Sequence, residues 1–177
     1  MEKEIDTLKT KNQRGCGLCL WYCASLFTEY IIRKKRSSIA EICPLEAFNK
    51  TFVKGFKEID IINKVITIYS GCDLALKEDT TYYKDKVISL ISQDIPVIVI
   101  LNIYSKGVIL DKDGMLLEGC RRKTIFARHC CLINGYDTQG KIYKVQNSYG
   151  DTWGCKGHFY ISEEYLISSI YKIFYLD

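Results

Sequence analysis

The sequence predicts an α+β fold in which a helical first half packs against a β-rich second half, and two observations carry that prediction. Up to about residue 94 the apolar residues recur mostly at helical spacing. From Ile95 onward, short β-branched runs are separated by turn signals such as Asn134-Gly135 and Gln139-Gly140. No repeat or low-complexity linker divides the 177 residues. One domain is therefore expected, with about 1–94 and about 95–177 meeting across a cleft.

Residues 1–12 are charged and without strong periodicity, which predicts a surface segment leading to a Gln- and Gly-rich loop at Gln13-Arg14-Gly15-Cys16-Gly17. From Leu18 to about Ile32, apolar residues go most of the way round a helical wheel, as in a helix buried inside a domain. Ser37-Ser38 offers a cap for a following helix, and Pro44-Leu45-Glu46-Ala47-Phe48 begins another with proline in its favoured first turn. Val65-Ile66-Thr67-Ile68-Tyr69 is β-branched enough to read as extended, and Ser70-Gly71-Cys72-Asp73 as a turn. A helix is expected over Lys84 to Gln93, stopped by Pro96, with a buried strand from Val97 to Ile103. Short strands follow at Val108 to Leu110, Cys130 to Ile133, Ile142 to Gln146 and His158 to Ile161.

Hydrophobic residues make up 47% and charged residues 26%, which excludes a disordered chain. The net charge of +4 is small for this length, so nucleic acid is not an expected partner. Of the two basic clusters, Arg33-Lys34-Lys35-Arg36 reads as a solvated helix terminus complementing the dipole. Arg121-Arg122-Lys123 reads as a solvated loop that could also steer an acidic ligand. Glu2, Lys3, Glu4 and Asp6 leave no apolar leader after Met1, and no run reaches membrane-spanning length. The expectation is a soluble chain, with an intracellular setting favoured over a lysosomal or secreted one. Nine cysteines, an odd number, suit one catalytic thiol plus bridges, and suit a reduced protein equally well.

The chemistry concentrates in three blocks. A cysteine where the loop becomes a helix meets free backbone N–H groups and the positive end of the dipole, which favours the thiolate. His129 opens a strand, and Asn147 ends another. Two strand ends can set both side chains facing the helix that carries Cys19. An imidazole there takes the thiol proton, the Asn147 amide oxygen holds the useful tautomer, and Gln13 lends an N–H to an oxyanion.

At these residues the chain resembles the papain and cathepsin family of cysteine peptidases. Gln13-x-x-Cys16-Gly17-x-Cys19 matches the spacing of the family's oxyanion glutamine, structural cysteine, glycine and nucleophile. His129 with Gly135-Tyr136 is similar to its histidine segment, and Asn147-Ser148-Tyr149-Gly150-x-x-Trp153-Gly154-x-x-Gly157 to its asparagine segment. Ile95-Pro96-Val97-Ile98-Val99 is more weakly similar to the Pro-Val strand ahead of the histidine. The resemblance implies a papain-like fold, a Cys19-His129-Asn147 triad, Gln13 in the oxyanion hole, and Gly17 as a supporting residue. Trp153 and Tyr149 would cover the His129 to Asn147 hydrogen bond. It further implies a peptide or protein substrate, a protein inhibitor or separate propeptide as partner, a monomeric state, and no metal or other cofactor. Cys16 would be bridged, with Cys72 or Cys43 as its mate.

The chain also departs from the family. His129 and Asn147 both follow Cys19 by fewer than the roughly 130 positions usual, so the intervening lobe is abbreviated. Leu20 and Tyr149 stand where tryptophans are usual, and the Gly-Gly strip has no counterpart beyond Ser70-Gly71-Cys72. Arg128, a cation beside His129, would disfavour imidazolium if turned inward. Three other readings compete: side-chain amide chemistry by the same triad, a non-catalytic homologue that binds peptides, and a zinc module. The last would use Cys16, Cys19 and Cys23 with His129 and the Cys130-Cys131 pair. His158 reads as structural.

Overall fold

The computed structural model describes residues 1–6, 8–37, 41–72, 74–104, 110–116 and 124–176. The basic cluster Arg121-Arg122-Lys123, Ser38, Asp73 and the start of the strand expected at Val108 to Leu110 lie outside the described residues, as does Cys120, one of the nine cysteines.

Helix α1 (Cys19–Arg36) is the central element of the first half, with every residue from Trp21 to Ile32 buried. A helix apolar on nearly all sides needs neighbours on all sides. It packs on α2 (Pro44–Thr51), on α3 (Glu58–Ser70) and on the sheet strand β4 (Ala127–Asp137). Its last turn holds Arg33, Lys34, Lys35 and Arg36, which reach the carbonyls of Asp6, Gln93 and Ser70 and the Cys72 thiol. These cations tie α1 to its surroundings as well as complementing its dipole. Ser37 ends α1 in a left-handed conformation and does not start the next helix. α3 corrects the extended reading of Val65 to Tyr69: Ile61, Ile62, Val65 and Ile66 form one buried helical face, and packing against α1 overrides their β propensity.

Among the described residues the sheet has seven strands, paired antiparallel, in the order β2-β7-β3-β4-β5-β6, with β1 paired to β4. Its members are β1 (Lys3–Glu4), β2 (Leu76–Asp79), β3 (Val97–Ile103), β4, β5 (Ile142–Gln146), β6 (His158–Ser162) and β7 (Ile170–Leu176). α4 (Lys84–Ser92) precedes β3, and α5 (Glu163–Ser169) runs straight into β7. The first residues are thus part of the fold, since β1 pairs with β4 and Ile5 and Leu8 are core residues. β2 comes from the first half of the chain and closes one edge of the sheet. No helix among the described residues is long and apolar enough to cross a membrane.

Register creates the setting of the site. β5 pairs with β4 only from Leu132 onward, while β3 pairs with β4 from Ala127 to Ile133. On the β5 side, the edge of β4 at His129 to Cys131 is therefore free to meet the start of α1.

Candidate active site

Cys19 is the first residue of α1, and the N-cap residue Leu18 makes no side-chain cap. No acidic residue occupies the first turn, so its N–H donors remain for other acceptors. The backbone amides of Cys130, Leu20 and Cys19 itself lie near enough to the thiol to favour its thiolate. The thiol is therefore set beside the amide immediately after His129. Burial, reinforced by the neighbouring Cys130 thiol, nonetheless pushes Cys19 up to about 11. This corrects the expectation that the helix terminus favours the thiolate at rest: desolvation outweighs the amide donors.

The His129 Nε2–H donates to Asn147 Oδ1 at 2.6 Å, which leaves Nδ1 as the nitrogen not engaged by Asn147. Burial lowers His129 below its usual value, opposed by the bond to Asn147. Both reacting groups are accordingly driven toward their neutral forms. Asn147 is itself fixed: its Oδ1 also accepts from the Ser148 amide at 2.7 Å, and its N–H donates to the Gly157 carbonyl at 2.9 Å. Tyr149 stacks on the imidazole at 5.1 Å between ring centroids, and Trp153 meets Tyr149 edge-on at 5.4 Å.

Gln13 is buried and tied to the residue after Asn147. Its N–H donates to the Ser148 carbonyl at 2.8 Å, and its Oε1 accepts from the Ser148 hydroxyl at 2.6 Å. With Oε1 so occupied, Nε2 is the end of the amide left to donate to another acceptor. An Asn12–Tyr149 bridge and the Gly150 N–H to Lys11 carbonyl bond extend this clamp. Ser148 as orienter of Gln13 was not singled out by sequence, although it stands inside the asparagine block. Gly17 has φ +72 with open space around it, as a tight turn into the helix requires.

The remaining thiols depart from expectation. The Cys16 bridge is absent: Cys16, Cys43 and Cys72 are all free, as are the other described cysteines. Cys16 and Cys43 are exposed, whereas Cys23 and Cys130 form a buried thiol pair joining α1 to β4. Among the described residues, no three His, Cys, Asp or Glu side chains converge on a metal position. Arg128 is exposed, and its guanidinium lies over the Tyr171 ring at 3.5 Å from the centroid. His158 is buried in β6, away from the thiol, between Asn134 and the Lys156 carbonyl.

This architecture is shared with solved cysteine proteases. Xylellain, a cysteine protease from Xylella fastidiosa, superposes with a TM-score of 0.73 at 11% identity, over 99% of this chain and 85% of that one. The Carica candamarcensis cysteine protease CMS1MS2, solved with E-64, gives 0.72 at 15% identity over 96% and 92%. The bromelain protease of Ananas comosus, also solved with E64, gives 0.64 at 18% identity over 96% and 93%. No curated protein sequence matches the chain. The model of the Peptidase C39 like family matches residues 48–172, which include His129 and Asn147 and begin after Cys19. On this match over more than half its length, and with a papain-like α+β fold, the chain belongs to the Peptidase C39 like family.

Proposed function

We propose that the protein is a cysteine-type peptidase that hydrolyses peptide bonds through Cys19, His129 and Asn147, with Gln13 in the oxyanion hole. The observation that carries this reading is the 2.6 Å His129–Asn147 bond, made from a strand whose next amide acts on the Cys19 thiol. Because thiol and imidazole are both biased toward neutrality, proton transfer to His129 Nδ1 accompanies attack on the carbonyl. The Gln13 Nε2–H and the Cys19 amide then hold the oxyanion. His129 returns the proton to the leaving amine, and water hydrolyses the acyl-enzyme with His129 as base. Tyr149 and Trp153 keep solvent from the His129–Asn147 bond.

An epoxide thiol inhibitor of the E-64 type tests the reading directly. Mass spectrometry should find one adduct at Cys19, none in Cys19→Ala, and labelling slowed by roughly 100-fold or more in His129→Ala. A folded protein whose Cys19 stays unmodified would sink the proposal. Cleavage of a peptide library by the wild type but not by Cys19→Ala supports hydrolysis, and the fragments distinguish internal from terminal cleavage. Ammonia release or isopeptide products without cleavage would turn the assignment to amide transfer.

A further inference from the structure

Four thiols gather where α1 meets β4, and the proposed mechanism uses only the first. Cys19 opens α1, and Cys23 follows it on the same helix face, one turn and about 6 Å further along the axis. Cys130 and Cys131 come directly after His129 on β4, the strand against which α1 packs. Cys23 and Cys130 pair across that junction, close enough for each thiol to act on the other. Cys130 also adjoins Cys19, with its amide beside the Cys19 sulfur and its own thiol within electrostatic range. Cys130 therefore stands between the nucleophile and Cys23.

Access and room differ along this row. Cys23 is 4% exposed and Cys130 2%, so an oxidant in solution does not meet them, whereas Cys19 is only half-buried. Desolvation keeps both inner thiols protonated, and a protonated buried thiol is inert on its own. A sulfenic acid at Cys19 would change that, because its oxygen leaves as water when a neighbouring thiol attacks. A small cavity bordered by Cys23, Cys130 and Cys131 reaches Asn147 and Ser148. Close packing would pin the sulfurs, and the void gives them space to turn toward the separation of about 2 Å that a disulfide needs.

We propose that Cys130 and Cys23 are a resolving pair that returns an oxidised Cys19 to its thiol, with a disulfide between Cys23 and Cys130 as the modified product. The inference rests on Cys19 being the reactive thiol and deepens that reading by naming how the site is regulated. Hydrogen peroxide transfers one oxygen to the Cys19 sulfur, giving the sulfenic acid and water. The Cys130 sulfur then attacks Cys19, and the hydroxyl leaves with the Cys130 proton as a second water. Attack by the Cys23 sulfur on Cys130 displaces Cys19, which takes the Cys23 proton. In sum, peroxide is reduced to two waters, and the Cys23 and Cys130 thiols give up two electrons and two protons.

Hydrogen peroxide at one equivalent per chain, followed by alkylation of the remaining thiols and peptide mapping by mass spectrometry, tests the relay. The wild type should yield a Cys23–Cys130 disulfide and a Cys19 that still takes the epoxide. Cys23→Ala should stop at a Cys19–Cys130 disulfide and lose epoxide labelling until dithiothreitol is added. Cys130→Ala should carry Cys19 on to the irreversible sulfinic acid, so that labelling recovered by dithiothreitol is at least about fivefold lower than in the wild type. Cys19→Ala should leave Cys23 and Cys130 reduced at the same dose, because the oxidant enters at Cys19. A Cys23–Cys130 disulfide that forms as fast in Cys19→Ala overturns the inference. So does a wild type that resolves Cys19 through Cys131, or whose Cys19 passes to sulfinic acid with no disulfide. These wild-type and Cys19→Ala results decide the matter even where a buried-site variant does not fold, and they leave the peptidase reading intact as long as the epoxide labels Cys19. A folded wild type whose Cys19 takes neither epoxide nor oxygen would overturn both readings.

Discussion

Ser148 carries more of the site than its small side chain would indicate. Its amide fixes Asn147 Oδ1, its carbonyl fixes the Gln13 N–H, and its hydroxyl fixes Gln13 Oε1. Only the last of these depends on the side chain, so Ser148→Ala isolates the orientation of the Gln13 amide. The expected outcome is a fall in kcat of several-fold with KM little changed, since the oxyanion exists only along the reaction path. Gln13→Ala should cost more, about 10- to 100-fold, because the donor itself is lost. Epoxide labelling in Ser148→Ala should proceed at close to the wild-type rate, as it needs Cys19 and His129 but develops no carbonyl oxyanion. A variant that loses labelling and turnover together would show that Ser148 acts on the thiol–imidazole pair instead. At the same scale, the blocks around Gln13, Cys19, His129 and Asn147 are legible in sequence because each is a short local spacing. Cys16 is not, because a bridge depends on where a distant thiol lies, and the shortened first half leaves both expected mates unbridged.

Among the elements, β5 and β6 are joined by a buried polar network directly beneath Asn147. Gln146 Oε1 accepts from the Tyr30 hydroxyl at 2.8 Å and from Asn134 Nδ2 at 3.3 Å. Asn134 Nδ2 lies 3.3 Å from His158 Nε2, and His158 Nδ1 lies 3.0 Å from the Lys156 carbonyl. This pattern requires a neutral imidazole, with Nδ1–H donating and Nε2 accepting. Burial, with Lys144 adding to it and Glu4 opposing it, lowers His158 from 6.5 to about 4. The unfolded chain therefore takes up a proton before the folded one, and stability falls as pH drops from about 6.5 toward 4. The full contribution stands above pH 6.5, and its loss is on the order of 3 kcal/mol from this group. Urea midpoints measured between pH 7 and pH 4 should show the decline, and His158→Gln should flatten it. The elements themselves were unevenly legible. α1, α2, α4, β3, β5 and β6 follow their periodicity, but α3 shows β-branched residues recruited into a helix by packing. β2 is a four-residue edge strand with three charged residues, too short and polar to signal itself. β7 has no turn before it, because α5 leads straight in, so punctuation does not mark it.

At the scale of the whole molecule, the first residues connect the sheet, the central helix and the loop that presents Gln13. β1 extends the ladder on the edge of β4 that β3 has left, and Ile5 and Leu8 lie in the core at 1% and 5% exposure. The Leu8 N–H donates to the Tyr30 hydroxyl at 3.1 Å, and the Leu8 carbonyl accepts from Gln146 Nε2 at 2.8 Å. Thr10 accepts a second bond from Gln146 and fills the space beside Gly157, where a Cβ would overlap it. The charge-rich composition of this segment hides its role, because only two of its side chains are apolar anchors and the rest of the anchoring comes from its backbone and from ion pairs such as Glu4–Lys144 and Lys3–Asp94. Removing residues 1–8 would uncover Ile5 and Leu8 sites worth about 1.5–3 kcal/mol each. It would also remove the two Leu8 hydrogen bonds to the Tyr30 hydroxyl and Gln146 Nε2, at about 0.5–1.5 kcal/mol apiece, while Gln146 keeps Thr10 as a partner. That sum is comparable with the entire stability of a domain, about 5–15 kcal/mol. The truncated chain should therefore melt far below the full-length protein, or fail to fold, when thermal unfolding is followed by circular dichroism. Ile5→Ala, which removes one core side chain and none of these hydrogen bonds, should lower the midpoint by less while leaving epoxide labelling of Cys19 intact at 25 °C. If the truncated chain keeps the full-length midpoint and labels at Cys19 at the same rate, the segment is a surface strand and the loop holding Gln13 is positioned by the Ser148 clamp alone.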